Sequence, residues 1–191
     1  HCISSAASDV YKRQYYIRAN VGESYRAGIE FDGVFYVDDY FTIKPNITFS
    51  SNKNNDYLTQ FDGSLQNFGK TDISFSPNLI FGNSLEFKMN DKTLLFFNTK
   101  YVGKQYMSNT NLESSVLASY LVNDFGINHS FSMPGFSDDS ELKLLINNLF
   151  NQKYESYGGH YFYDIDNKTY SGAYFYPMAE INFLIGLDFN F

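Results

Sequence analysis

The last eleven residues constrain the fold most. From Ile181 to Phe191 the odd positions are Ile181, Phe183, Ile185, Leu187, Phe189 and Phe191, all apolar. The even positions are Asn182, Leu184, Gly186, Asp188 and Asn190, polar or small at all but Leu184. Strict alternation of this kind marks a strand with one greasy face and one wet face. An aromatic final residue in register with the greasy face implies that the end itself is held, since frayed ends of soluble domains are usually polar. Eleven residues at roughly 3.3 Å each reach about 36 Å. Tilted by about 40° they project to some 28 Å, close to the ~25 Å apolar band of an outer-membrane barrel. One buried face of an ordinary sandwich strand would read the same way, so the rest of the chain has to decide.

The same alternation recurs upstream. Ala27, Ile29, Phe31, Gly33, Phe35 and Val37 share one face of a first strand, with Arg26, Glu30 and Asp32 on the other. Asp38-Asp39-Tyr40 then reverses the chain. A second strand sets Phe41, Ile43, Pro45, Ile47 and Phe49 against Thr42, Lys44, Asn46, Thr48 and Ser50. Pro45 lacks a ladder donor, so pairing there is expected to be weak or bulged. A third strand runs from about Lys70 to the Asn90-Asp91-Lys92 turn, and a fourth from about Thr93 to Tyr106, its alternation blurred by Leu94, Phe96 and Val102. The fifth spans about Ser114 to Met133, the sixth about Ser140 to Ser156, and the last begins near Ala173.

Short reversals fall at 38–40, 90–92 and 134–139, and longer, polar connections at 51–69, 107–113 and 157–172. Short turns at one end and long loops at the other are the periplasmic and extracellular ends of an outer-membrane barrel. A soluble up-and-down barrel has no reason to sort its loops so. The expected fold class is therefore all-β, an antiparallel meander of about seven long strands. Aromatics make up 19% of the chain, with 20 Phe and 17 Tyr, yet hydrophobic residues total only 43%, as many half-greasy strands would give. No run of apolar residues is long enough for a membrane helix. A net charge of -7 with no basic patch excludes nucleic acid as a partner. The single cysteine, Cys2, excludes disulfides and thiolate metal sites.

His1 to Gln14 stand apart. Asp9-Val10-Tyr11-Lys12-Arg13-Gln14 resembles the translation of a transposon-end adaptor used in sequencing libraries. The segment is read as an artefact, disordered and outside the fold, leaving residues 15–191 as one barrel region. The wet face carries Arg26, Glu30, Asp32, Lys44, Asp72, Glu86, Lys88, Lys100 and Asp188. A small closed barrel fills its interior with side chains, and charges at this density need pairing or water. A wide lumen fits better, and bacterial single-chain barrels have even strand numbers. Seven strands are thus expected to be an incomplete part of a larger barrel.

At Asn148-Leu149-Phe150-Asn151-Gln152-Lys153-Tyr154 the chain resembles the penultimate-strand signature of TonB-dependent outer-membrane receptors, a run of the form NLFN-K-Y. Tyr176-Pro177 followed by Asn182-Phe183-Leu184-Ile185-Gly186 looks like that family's last strand, and Ser24 to Glu30 and Tyr101 to Tyr106 look like its recurring barrel segments. The resemblance covers Tyr15 to Phe191. It implies a 22-stranded barrel around an N-terminal plug, in the cell outer membrane. Such a receptor takes up a scarce ligand, siderophore-iron, vitamin B12 or glycan, with energy drawn through TonB from an N-terminal box. Plug and box are not in this chain. Expected partners are outer-membrane lipid, the barrel-assembly machinery, TonB by way of the missing segment, and a small-molecule or metal-chelate ligand. Gly186, Phe189 and Phe191 fit the family's barrel-assembly signal, while Leu184 stands where a polar residue is usual.

Tyr157, Tyr161, Tyr163, Tyr170, Tyr174 and Tyr176 crowd the last long loop with His160. An interfacial aromatic girdle accounts for most of them. Tyr161, Tyr163 and His160 are the candidates for ligand contact at the outer mouth. Asp164-Ile165-Asp166-Asn167 faintly resembles the start of a calcium loop but lacks its glycine and its final glutamate. No nucleophile with its base and no phosphate loop appears, so no catalytic residues, metal or cofactor and no enzyme activity are expected. The competing reading is a soluble β-sandwich ligand-binding module.

Overall fold

The computed structural model describes residues 22–135 and 137–190. Among them lie fifteen strands and one turn of 3-10 helix at Glu113–Ser115. The strands are β1 (Glu23–Asp32), β2 (Phe35–Tyr36), β3 (Phe41–Asn55), β4 (Leu58–Phe61), β5 (Ser64–Asn67), β6 (Thr71–Asp72), β7 (Leu79–Asn90) and β8 (Thr93–Val102). There follow β9 (Gln105–Tyr106), β10 (Val116–Leu117), β11 (Tyr120–Met133), β12 (Ser137–Asn147), β13 (Glu155–Ile165), β14 (Lys168–Pro177) and β15 (Asn182–Asn190). The segment 1–14, read from the sequence as adaptor, lies outside the described residues, as does Phe191.

Strands β1, β3, β7, β8, β11, β12 and β15 hydrogen-bond in that order, every neighbouring pair antiparallel, with β2 and β6 adding to β3. This is the expected seven-strand meander. It is an open sheet, with β1 and β15 at its edges among the described residues. The register aligns the greasy positions into cross-strand rows. Phe41, Phe87, Leu95, Ile127, Leu144 and Ile185 stand directly opposite one another in turn, and so do Ile43, Leu85, Phe97, Phe125, Ile146 and Phe183. A one-residue slip would move each set to the other face, so the oily rows themselves pin the register.

No second sheet covers these rows among the described residues. Ile29 is 76% exposed, Phe183 71% and Ile185 66%, while the buried apolar side chains among the described residues are Val102, Met107 and Leu117. A β-sandwich would bury that face against another layer, so the sandwich alternative is not favoured. The opposite face carries Arg26, Glu30, Asp32, Lys44, Glu86, Lys88, Lys100 and Asp188, as expected. Lys44 pairs with Glu86 at 2.6 Å, and Lys143 with Asp188 at 2.5 Å and Glu141 at 3.0 Å. Asp72 departs from the expectation. It stands opposite Lys53, itself opposite Tyr25, on the greasy side of β3 where the strand has run past its apolar rows. There it forms an ion pair with Lys53.

The short turns are built as the sequence predicts. Asp38 Oδ1 accepts from the amides of Tyr40 and Phe41, and Asn90 Oδ1 from that of Lys92, so each carboxamide or carboxylate closes its own reversal. Pairing of β1 with β3 stops at Asp32 opposite Asn46 and resumes with β2 at Phe35 opposite Ile43. Pro45, without an amide hydrogen, sits in the interruption and only accepts, from Gly33.

Several boundaries shift. The third sheet strand starts at Leu79 rather than near Lys70. Asp72 and Ser74 give their amides to the side chains of Asn111 and Asn109, which hold this stretch to the neighbouring loop. The fourth ends at Val102, the fifth begins at Tyr120 after the 3-10 turn, and the sixth ends at Asn147. The last begins at Asn182, and residues 155–177, read as the end of the sixth strand, a loop and the start of the last strand, form the separate hairpin β13–β14. Residues 51–69 likewise hold a small hairpin, β4–β5.

Candidate ligand-binding site

The long connections gather at one end of the sheet, and Asn148 organises their base. Where β12 ends, Asn148 turns into the left-handed region at φ 52° and is only 3% exposed. Asparagine tolerates this conformation better than most residues because its short amide can bond locally. Its backbone amide donates to Asp124 Oδ1 (2.8 Å), and its Nδ2 donates to the carbonyls of Gln152 (2.9 Å) and Ala179 (3.1 Å). Its Oδ1 accepts from the Gln152 amide at 2.8 Å. Asn151, also left-handed at φ 52°, accepts from the amide of Ile181. Both legs of the last long connection are thereby tied to the end of β11. Phe150 leans on Phe97 on the greasy face, and Tyr154 stacks on Tyr120 at 4.4 Å on the wet face.

Hairpin β13–β14 rises from this base through a two-residue turn, Asp166-Asn167, with φ of 50° and 60°. Its register puts Tyr157 opposite Tyr176, Gly159 opposite Tyr174, Tyr161 opposite Gly172 and Tyr163 opposite Tyr170. All six tyrosines therefore share one face, and each is about half exposed. Tyr161 and Tyr163 are stacked at 6.3 Å and 26°, Tyr163 and Tyr170 at 5.6 Å and 19°. The two glycines make room for these rings. A Cβ on Gly172 would stand 2.4 Å from the phenol end of Tyr161, and one on Gly159 2.4 Å from that of Tyr174. Each ring thus lies across the strand onto bare backbone, the aromatic rescue of a strand glycine.

The other face of the hairpin is packed. Phe162 meets Phe61 of β4 edge-on at 5.9 Å, and His160 meets Phe162 at 4.8 Å. His160 Nε2 is 3.0 Å from the Ser114 hydroxyl, and its Nδ1 is buried without a partner. Burial there holds the imidazole below its usual pKa. Gly158 is buried, and a side chain there would strike the Tyr174 carbonyl at 2.4 Å and Met107 Sδ at 2.7 Å. At the tips, Asp62 and Thr169 exchange bonds: the Asp62 amide donates to Thr169 Oγ1, and the Thr169 amide to Asp62 Oδ1, both at 2.7 Å.

The three sequence candidates are therefore split. Tyr161 and Tyr163 lie together on the open face, and His160, one residue away in an extended strand, points into the loops behind it. Asp164 accepts the Thr169 hydroxyl, and no cluster of metal-ligating side chains is found among the described residues. Gly186 pairs with Lys143 on the wet face and Phe189 with Ser140 on the greasy face.

A second concavity escapes the sequence reading. On the wet face, Lys100, Tyr120, Asp124, Asn147, Tyr154 and Asn182 line a cavity of about 310 Å³. Its lining comes from five strands, β8, β11, β12, β13 and β15, and the loops that join the last three, and only their register brings these residues together. Alternation marks which face they share but not where that face becomes concave.

No helix is long and apolar enough to cross a membrane, which leaves crossing by strands open. No family model matches the sequence, and no curated protein does. Among solved structures, the fold is similar to the siderophore receptor PiuA from Acinetobacter baumannii, with a TM-score of 0.67 at 18% identity over 89% of this chain. It is similar also to the ferric-catecholate import receptor Fiu from E. coli K12, with a TM-score of 0.55 at 13% identity over 85%. The chain spans only 22% and 20% of the lengths of those two proteins. At these identities the likeness establishes the fold alone, an open antiparallel sheet.

Proposed function

We propose that this chain is the C-terminal part of the barrel of a TonB-dependent outer-membrane receptor that imports a scarce ligand, siderophore-iron, vitamin B12 or glycan. The observation that carries this reading is the exposed oily face of an open seven-strand meander that superposes over 89% of its length on a siderophore receptor. An uncovered face of that kind is stable in hydrocarbon and costly in water. The wet face, with its paired charges, then faces the lumen of a barrel completed to 22 strands by upstream sequence, and the hairpins stand at the outer mouth. Tyr161 and Tyr163 contact ligand, with His160 shaping the hairpin from behind.

On this reading the partners are outer-membrane lipid, the barrel-assembly machinery acting on the strand that carries Gly186, Phe189 and Phe191, and TonB by way of a plug and box encoded upstream. The role is transport rather than catalysis. The test is recovery of the upstream reading frame and expression of the whole gene. The protein is expected to fractionate with the outer membrane, and its deletion to abolish TonB-dependent uptake. A short intact gene, or a product found in the soluble fraction, would contradict the proposal.

A further inference from the structure

We infer that hairpin β13–β14 is a lid on the wet face, hinged at Ser156 and held down by a sprung catch, the ring of Phe75 against Tyr157. The catch shows first as an anomaly of the backbone. Eight non-glycine residues among the described ones have positive φ, and seven of them are Asn or Asp, which tolerate it. The eighth is Phe75, at φ 53°. Turns place Gly or Asn at such positions, and a bulky aromatic there is strained. What phenylalanine supplies that glycine lacks is a ring. That ring is not sunk in a core: it is 41% exposed and stacks on Tyr157, with 5.4 Å between centroids and 22° between planes. Tyr157 stacks in turn on Tyr176 at 6.0 Å and 13°.

The chain brings Phe75 to that point by looping out of the wall. Phe49 stands opposite Leu79, and the Ser50 amide donates to the Asn78 carbonyl. Further along β3 the Asn52 carbonyl already accepts from Ile73, so residues 74–77 bulge out opposite Ser51. Arg26 Nη1 donates to Ser76 Oγ at 3.0 Å, and Ser50 Oγ to the Pro77 carbonyl at 2.9 Å. Both donors stand on the wet face, which puts the bulge on that side. In the wall, β8 and β11 lie between β7 and β12. The hairpin that follows β12 thus leans back past the ends of β11 and β8 to reach Phe75.

At the foot of the hairpin the register slips between Glu155 and Tyr157, leaving Ser156 as a bulge. Below it the Met178 amide is tied to the Tyr154 carbonyl, beside the knot at Asn148. Above it the hairpin meets the loops through the catch, through His160 and Phe162 on its packed side, and through Asp62 and Thr169 at the tips. Ser156 also lines the cavity at Tyr120 and Tyr154, so a lid turning there changes the wall of that cavity. The strain at Phe75 and the stacking it permits are similar in size. The stack keeps the turn left-handed and the turn keeps the hairpin down, each only while the other persists. The catch does not depend on the receptor reading.

The test follows amide exchange by NMR in the whole 191-residue chain, folded in detergent micelles with its β-structure verified by circular dichroism. The Asp62 and Thr169 amides bond across the tips, so their exchange reports the lid opening. Phe75→Leu keeps apolar bulk without the stack, and is expected to speed both about three- to tenfold. The ladder amides within β13–β14 should keep their protection, since a lid moves as a unit. Phe75→Tyr, which restores the ring, should stay within about twofold of the wild type. Tyr157→Ala should speed exchange of the Phe75 amide itself, which donates to the Tyr106 carbonyl at 2.8 Å, because nothing then holds the turn left-handed. Exchange at Asp62 and Thr169 indifferent to Phe75→Leu would overturn the inference. So would loss of the β13–β14 ladder together with the tips, which is melting and not a lid, or a Phe75 amide indifferent to Tyr157→Ala, which is a rigid turn and not a catch.

Discussion

Asn148 shows how much one side chain can fix. Its amide nitrogen and oxygen are all used, it is nearly inaccessible, and its backbone is left-handed. Replacing it with alanine leaves two carbonyls and one amide without their partner and keeps an unfavourable φ. Gln152 and Ala179 are exposed and the three bonds only half-buried, so each one lost costs on the order of 1 kcal/mol. Asn148→Ala should therefore destabilise the fold by about 3 kcal/mol, seen as a lower urea midpoint in micelles. Asn148→Gly, which relieves φ alone, should recover only a fraction, and full recovery would mean that the hydrogen bonds contribute little. That this residue matters was legible as a motif, Asn148 to Tyr154. Why it matters was not, because its partners Asp124 and Ala179 come from distant parts of the chain.

The elements divide by how cleanly they alternate. Strands with one oily face, such as β3 and β15, were assigned the right faces because period two has a single solution there, although β3 runs on to Asn55 past the end read at Ser50 and β15 starts at Asn182 rather than near Ala173. Hairpin β13–β14 was missed because Tyr161-Phe162-Tyr163 is aromatic on both faces and gives alternation nothing to act on. The signal that remained was the turn chemistry of Asp166-Asn167, and of Asp62-Gly63 for β4–β5, each pair at positive φ. Once formed, the hairpin is held by a tight fit. Gly158→Ala would drive a methyl group into the Tyr174 carbonyl and Met107, so it should cost about 1–3 kcal/mol and free the hairpin to proteolysis between 155 and 177. Unchanged protection would refute the close packing.

Docking should also depend on pH through His160, whose pKa is lowered by burial against the loops. In an undocked hairpin the ring titrates near its ordinary value of about 6.5. Above that value it is neutral in both states and docking is at full strength. As pH falls below it, the undocked state takes the proton first, so docking weakens progressively. The near-UV circular dichroism of the tyrosines should report this loss between pH 8 and pH 5, and His160→Phe should flatten the profile. Docking that strengthens on acidification would show that the imidazole is stabilised as a cation instead.

At the scale of the whole molecule, one sheet carries two solvents' worth of chemistry. Seven strands, their order and the assignment of nearly every charge to one face were readable from period two alone. The cavity at Tyr120 and Tyr154 and the departure of Asp72 were not, since both depend on where strands end rather than on how they alternate. The chain contains no tryptophan, so a single introduced indole reports its own surroundings without background. The most direct test is to place one at Phe183, Leu144 or Phe97 on the oily rows, and at Lys143 or Asn98 on the wet face. Each variant is folded into bilayers whose acyl chains are brominated. The account predicts blue-shifted emission strongly quenched by bromine at the first three positions and weak quenching at the other two. Equal quenching on both faces, or the reverse pattern, would contradict it.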